Sequence, residues 1–149
     1  MDVSGLLAQL NDARRIFIDS MIFVYALEDH PHYAPLSVAV LQHVESGRCP
    51  GVTSALTLAE LLTAPARSGD RGAMRDYELY LTNFPHLAIL PFTADMAGLV
   101  ARLRATTGLR TPDAIQLAVA RTAGCDVIVS NDRQWQGKAG AMRVVGLDG

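Results

Sequence analysis

From residue 15 onward, short apolar runs alternate with longer stretches whose apolar positions recur at helical spacing. The short runs are "RIFID" (15–19), "GVTS" (51–54), "LAIL" (87–90), "DVIVS" (126–130) and "RVVGL" (143–147). Each is bounded by turn or charge signals and reads as a strand. Between them the spacing predicts helices from Ser20 through "SMIFVYALE", over 34–46 with Pro35 near the start and Gly47 at the end, and over 54–64. Three more follow over 70–84, 93–108 and 111–123, the last stopped by Gly124. Strands alternating with helices predict an α/β domain around a mostly parallel central sheet flanked by helices. Residues 1–14 read as an N-terminal helical extension packing on the outside and dispensable to the fold, and residues 15–147 as the domain itself.

One helix does not fit a purely structural role. In "TPDAIQLAVA" Thr111 is a natural N-cap and Pro112 suits the first helical position. Ala114, Ile115, Leu117, Ala118, Val119 and Ala120 then leave almost no polar side, the mark of a buried helix. Yet Asp113 sits in the first turn, with no Lys or Arg three or four residues downstream. Glu60 lies within the similarly apolar "ALTLAELLTA" and also lacks a basic neighbour at those spacings. Two more acids stand at strand ends: Asp19 closes "RIFID", and Asp132 follows "VIVSN". In open parallel sheets, ligands bind beyond the carboxyl ends of the strands.

Each acid taken alone has an ordinary explanation: Asp19 as a cap, Asp113 as a helix-polarity residue, Asp132 as a turn residue and Glu60 as an exposed helical glutamate. Together they require more, because anions desolvated in one place repel each other and are driven toward protonation. A divalent cation removes that conflict. Oxygen ligands without His or Cys point to Mg²⁺ or Mn²⁺ rather than zinc.

Composition narrows the partners. The chain has 149 residues, 50% hydrophobic and 19% charged, which suits one globular domain. No apolar run is long enough for a membrane span and no signal segment is visible, so a cytoplasmic protein without a membrane partner is expected. Cys49 and Cys125 stand alone and read as small core residues. The formal net charge of −2 is unlike that of a protein gripping nucleic acid through a broad basic surface. Any nucleic-acid ligand then needs bound cations or a second subunit.

Asp in "FIDS", Glu in "TLAELL", Asp in "RTPDAIQLA" and Asp in "VSND", in that order, resemble the PIN domain family. More narrowly, "FIDSMIFVYALEDHP" and "LRTPDAIQLAVA" resemble its VapC-type toxins. The resemblance implies a single PIN-like domain whose acids bind Mg²⁺ or Mn²⁺, and an endoribonuclease toxin that cuts RNA, is commonly a homodimer and is neutralised by a cognate antitoxin. Carried over by motif, Asp19, Glu60, Asp113 and Asp132 are the catalytic and metal-binding acids, with Ser20, Ser130 and Asn131 as polar support. Arg110 and Arg133, flanking two of the motifs, are candidates for phosphate contacts. Two positions depart from the family: Met21 stands where Asn is frequent, and Ser130 where Thr is frequent.

Two other readings compete. A non-catalytic PIN-like module that binds RNA or protein would not require all four acids. A phosphoacceptor signalling domain would want a lysine beside the acids, and Lys138 is the only lysine. "DHPH", with His30 and His32, reads as a loop that could serve as a lid or specificity element near Asp19. Asp95 reads as a helix-start residue, and Trp135 as packing over a loop, with base stacking as the other use of an aromatic at such a place.

Overall fold

A computed structural model describes residues 1–149. Five strands, β1 (Ile16–Ile18), β2 (Gly51–Ser54), β3 (Leu87–Leu90), β4 (Val127–Val129) and β5 (Arg143–Val145), form one sheet in the order β3-β2-β1-β4-β5. Every pairing is parallel. The helices are α1 (Val3–Leu10), α2 (Ser20–Leu27), α3 (Ala34–Glu45), α4 (Ala55–Arg67), α5 (Arg71–Thr82), α6 (Ala97–Thr107) and α7 (Thr111–Thr122).

The central strands are buried on both faces, which is why they read as continuous apolar runs. Ile16 and Ile18 of β1, with Val127 and Val129 of β4, point into a core shared with Ile22, Phe23, Val40, Val44, Leu61 and Leu81. Phe17 and Ile128, one residue out of phase, point into the opposite core with Leu117 to Ala120 of α7 and Val100 of α6. Helices α1–α5 thus cover one face, and α6 and α7 the other.

Two strands match their expected bounds and the other three are shorter at the ends. The helices differ in informative ways. The stretch 93–108 opens as a 3-10 turn, Ala94–Met96, before α6 proper begins. Helix α4 runs past Pro65 to Arg67, because Pro65 is itself buried and the turn beyond it is kept by bonds from Ser68 N to Ala64 O and Gly69 N to Ala66 O. Thr111 is not the cap of α7. Arg110 holds the extended N-cap position without a side-chain bond, which puts Thr111 at the first helical residue and Asp113 at the third. Helix α1 does not lie outside the core: Leu6 is 0% and Leu10 1% exposed, packed in the same cluster as Val44 and Val145. Gly51 lets α3 close onto β2, since a Cβ there would stand 2.8 Å from Val44 Cγ1.

Candidate active site

The chain brings its polar groups to the carboxyl edge of the sheet, where β1, β2 and β4 end. Asp19, the residue after β1, caps α2: its Oδ1 accepts from the Ser20 backbone N–H at 2.8 Å. Its Oδ2 accepts from the Ser130 hydroxyl at 2.7 Å. Ser130, the residue after β4, accepts in turn from the Asp132 N–H at 3.1 Å, so one hydroxyl ties the two strand-end acids together. The Ser20 hydroxyl donates to Glu60 Oε2 at 3.0 Å, drawing in α4. Asp132 caps the 3-10 turn Arg133–Trp135 through an Oδ1 that accepts from Gln134 N–H at 2.9 Å.

Asp19 is 7% exposed. Burial pushes its carboxyl up to about 6; the Ser130 and Ser20 bonds oppose the rise, and the charges of Glu60 and Asp132 add to it. No cation offsets these charges: the two salt bridges, Arg14–Asp126 and Arg143–Asp12, lie elsewhere. Glu60 itself is exposed and Asp132 half-buried.

Asp113 is half-buried in the first turn of α7. It reaches this edge by another route: one turn later, the Gln116 amide bonds to Ser54, at the end of β2, and to Thr57 of α4. Asp19, Glu60 and Asp132 therefore share one bonded cluster; Asp113 makes no bond to it, and α7 is tied to this edge by the Gln116 amide one turn further on. No three His, Cys, Asp or Glu side chains stand close enough to hold an ion by themselves. The donor set is all oxygen, carries excess negative charge and is open to solvent at Glu60. That suits a hard cation such as Mg²⁺, which commonly takes one or two carboxylates and fills its other positions with water and substrate phosphate oxygens.

Asn131 braces the rim: its amide donates to the Tyr25 hydroxyl at 3.5 Å and accepts from Leu147 N–H at 3.3 Å. Arg133 is exposed and lines a polar cleft of about 660 Å³ together with Ser130, Asn131 and Asp132. Arg110 is exposed at the start of α7. Met21, two residues after Asp19, is 40% exposed, so the chain presents a solvent-facing thioether there.

His30 and His32 do lie in the loop between α2 and α3. The His30 ring stacks on Tyr33 and meets Tyr25 edge-on, and its Nδ1 accepts from the His32 and Tyr33 backbone N–H groups. Trp135 is 1% exposed in the α6–α7 core, which rules out its use as an open stacking surface. Lys138 lines a hollow with Leu103, Thr106 and Arg121, none of them a partner of the acids, so the lysine a phosphoacceptor site wants is not at this edge. Asp95 accepts from the Thr93 hydroxyl at the start of its 3-10 turn. Cys49 and Cys125 are free and buried.

The buried polar group that the apolar pattern of α7 hid is Gln116, 2% exposed. Its signal was present as the one polar residue in an otherwise apolar stretch. What could not be seen locally was its partnership with Ser54 and Thr57, some sixty residues away.

The PIN domain family profile matches residues 16–141, and the chain belongs to that family. No curated protein matches it. Among solved structures it is similar to VapBC2 from Rickettsia felis bound to a promoter DNA fragment, at 17% identity over 89% of this chain and 98% of that one, with a TM-score of 0.69. It is also similar to FitAcB from Neisseria gonorrhoeae, at 22% identity over 87% and 95% of the two chains with a TM-score of 0.66. A third is VapC20 from Mycobacterium tuberculosis, a toxin that cleaves the sarcin–ricin loop, at 18% identity over 86% and 98% with a TM-score of 0.65. At these identities the likeness is one of fold. No helix is long and apolar enough to cross a membrane.

Proposed function

We propose that this chain is a divalent-metal-dependent endoribonuclease and the toxin of a toxin–antitoxin pair. The observation that carries the proposal is Asp19. It is a buried carboxylate pushed up to about 6 by desolvation, raised further by two neighbouring acids and paired with no cation, at the ligand-binding edge of a PIN sheet. A fold does not retain such a group for stability. VapC20, whose fold this chain shares, is a toxin that cleaves the sarcin–ricin loop.

Asp19, Glu60, Asp113 and Asp132 would hold Mg²⁺ or Mn²⁺, which when bound supplies positive charge to the scissile phosphate and acidifies a water. The remaining steps fall to the chain. Ser130 and the Ser20 N–H fix the Asp19 carboxylate at two oxygens, so it does not rotate when charge arrives. The Ser20 hydroxyl holds Glu60 at one oxygen, Oε2, and leaves the other open. Arg133 and Arg110, both free of salt bridges, would meet the flanking phosphates.

Partners follow from the surface. A groove of about 400 Å³ between α2, α4 and α5 is lined by Val24, Leu27, Leu61, Ala64 and Tyr77, and Glu60 stands in its wall. An antitoxin segment lying there would cover the acid, and the solved FitAcB and VapBC2 structures are of toxin–antitoxin assemblies. Leu79, 52% exposed on α5, and Phe92, 43% exposed, would give apolar area to a homodimer contact. A cytoplasmic location is part of the same reading.

One observation favours the second reading, a PIN-like module that binds RNA or protein without cleaving: no three acids converge on their own. Cleavage of total RNA by the purified toxin with Mg²⁺ or Mn²⁺, beside Asp113→Asn, separates the two. The nuclease reading expects cleavage by the wild type, abolition by chelation and by Asp113→Asn, and an unchanged unfolding curve. A folded wild type that binds RNA and never cuts it would establish the module instead.

A further inference from the structure

Gln116 is 2% exposed in a helix whose other inward residues are apolar, and both ends of its amide are used. Its Oε1 accepts from the Ser54 hydroxyl, and its Nε2 donates to Thr57 Oγ1 at 2.9 Å. Ser54 and Thr57 are themselves the opening of α4: the Ser54 Oγ accepts from the Thr57 N–H at 3.2 Å as the helix cap. Beside them, Thr53 Oγ1 donates to the Ile18 carbonyl at 2.8 Å, one residue before Asp19. A single buried polar chain therefore crosses from α7 to α4, and its neighbour crosses from β2 to the end of β1.

The placement of the acids on this chain is regular. Asp113 precedes Gln116 by three residues and Glu60 follows Thr57 by three, so each acid stands one turn along the helix face that carries the amide bond. The two helices cover opposite faces of the sheet and share no apolar core, so the two directional bonds to one planar amide are what join them at the carboxyl edge.

We infer that Gln116 is a positioning residue, clamping α7 to the first turn of α4 so that Asp113 and Glu60 face one cation. This rests on the metal-site reading above. The amide touches neither acid and acts through the helices that carry them.

The test is calorimetric titration of Mn²⁺ into the purified protein. It compares the wild type with the paired variant Gln116→Leu, Thr57→Val and with Thr57→Ser and Asp113→Asn. The pair removes both members of the Gln116–Thr57 bond with apolar groups of similar shape and leaves the Ser54 hydroxyl without its acceptor, so it is expected to fold and to melt modestly below the wild type. Its Mn²⁺ affinity should fall on the order of 10- to 100-fold, as when groups that orient metal ligands are removed. Thr57→Ser keeps the hydroxyl and should keep the affinity. If the pair does not fold, Thr57→Val alone, which removes the acceptor and preserves the volume, carries the same expected loss. Wild-type affinity in a folded variant that lacks the bond overturns the positioning role while leaving the metal site standing. A wild type that takes up no Mn²⁺, indistinguishable from Asp113→Asn, overturns the metal-site reading and the positioning role with it.

Discussion

At the scale of single residues, Asp19 is a carboxylate buried at the expense of stability. An aspartate whose folded pKa is raised binds its proton more tightly in the folded chain than in the unfolded one. The stability it lends is complete below its ordinary value of 3.8 and is lost as pH rises through about 6. Asp126 works in a different window: against the pull of burial, the backbone N–H groups of Arg15 and Arg14 and the Arg14 charge hold it low, so its contribution disappears only at more acidic pH. The metal-free protein should therefore lose stability between roughly pH 4 and pH 6 on account of Asp19 alone. The shift corresponds to at most about 3 kcal/mol, of which Asp19→Asn should recover a part. Differential scanning calorimetry near neutral pH should then show Asp19→Asn melting about 3–6 °C above the wild type without metal. The advantage should shrink when saturating Mg²⁺ is added, because only the wild type gains from binding. A variant that melts below the wild type would mean that Asp19 is retained for its capping bonds.

At the scale of elements, much was legible. The strand runs are dense in β-branched and aromatic residues because central parallel strands are buried on two sides, and no tertiary knowledge is needed to see that. The four acids were legible too, Asp113 and Glu60 as helical carboxylates without basic neighbours and Asp19 and Asp132 as acids at strand ends. Three features were not. Whether Thr111 or Arg110 caps α7 turns on one residue's backbone angles, which neighbouring packing sets. Pro65 reads as a stop, but its ring is buried and carries α4 one turn further. Helix α1 is short and precedes the first strand, and only its contact with α3 and its place in one cluster with Val145 show that its leucines belong to the core. That last difference has a measurable consequence. If α1 were an external appendage, Leu6→Ala would be silent. Buried as it is, the substitution should cost about 2–5 kcal/mol and lower Tm by on the order of 10 °C. A change of a degree or less would restore the view that residues 1–14 are dispensable.

At the scale of the whole molecule, charge and function constrain each other. A formal net charge of −2 and a cluster of uncompensated carboxylates should repel RNA, and exposed arginines such as Arg133 beside the acids offset this only locally. For a protein that holds RNA through a basic surface, Mg²⁺ competes with the arginines for phosphate and weakens binding. For this chain the opposite is expected, because the cation converts the repelling edge into the attracting one. Fluorescence anisotropy with a labelled single-stranded 2′-O-methyl oligonucleotide, chosen to resist cleavage, would measure affinity at constant ionic strength as Mg²⁺ is raised. Wild-type affinity should increase with Mg²⁺ and reach a plateau, whereas Asp113→Asn should show only the shallow decline of counterion competition. If the wild type declines in parallel with the variant, phosphate contacts from arginines carry the binding. The acidic edge would then have no part in holding RNA, and the link between the molecule's charge and its site would be broken.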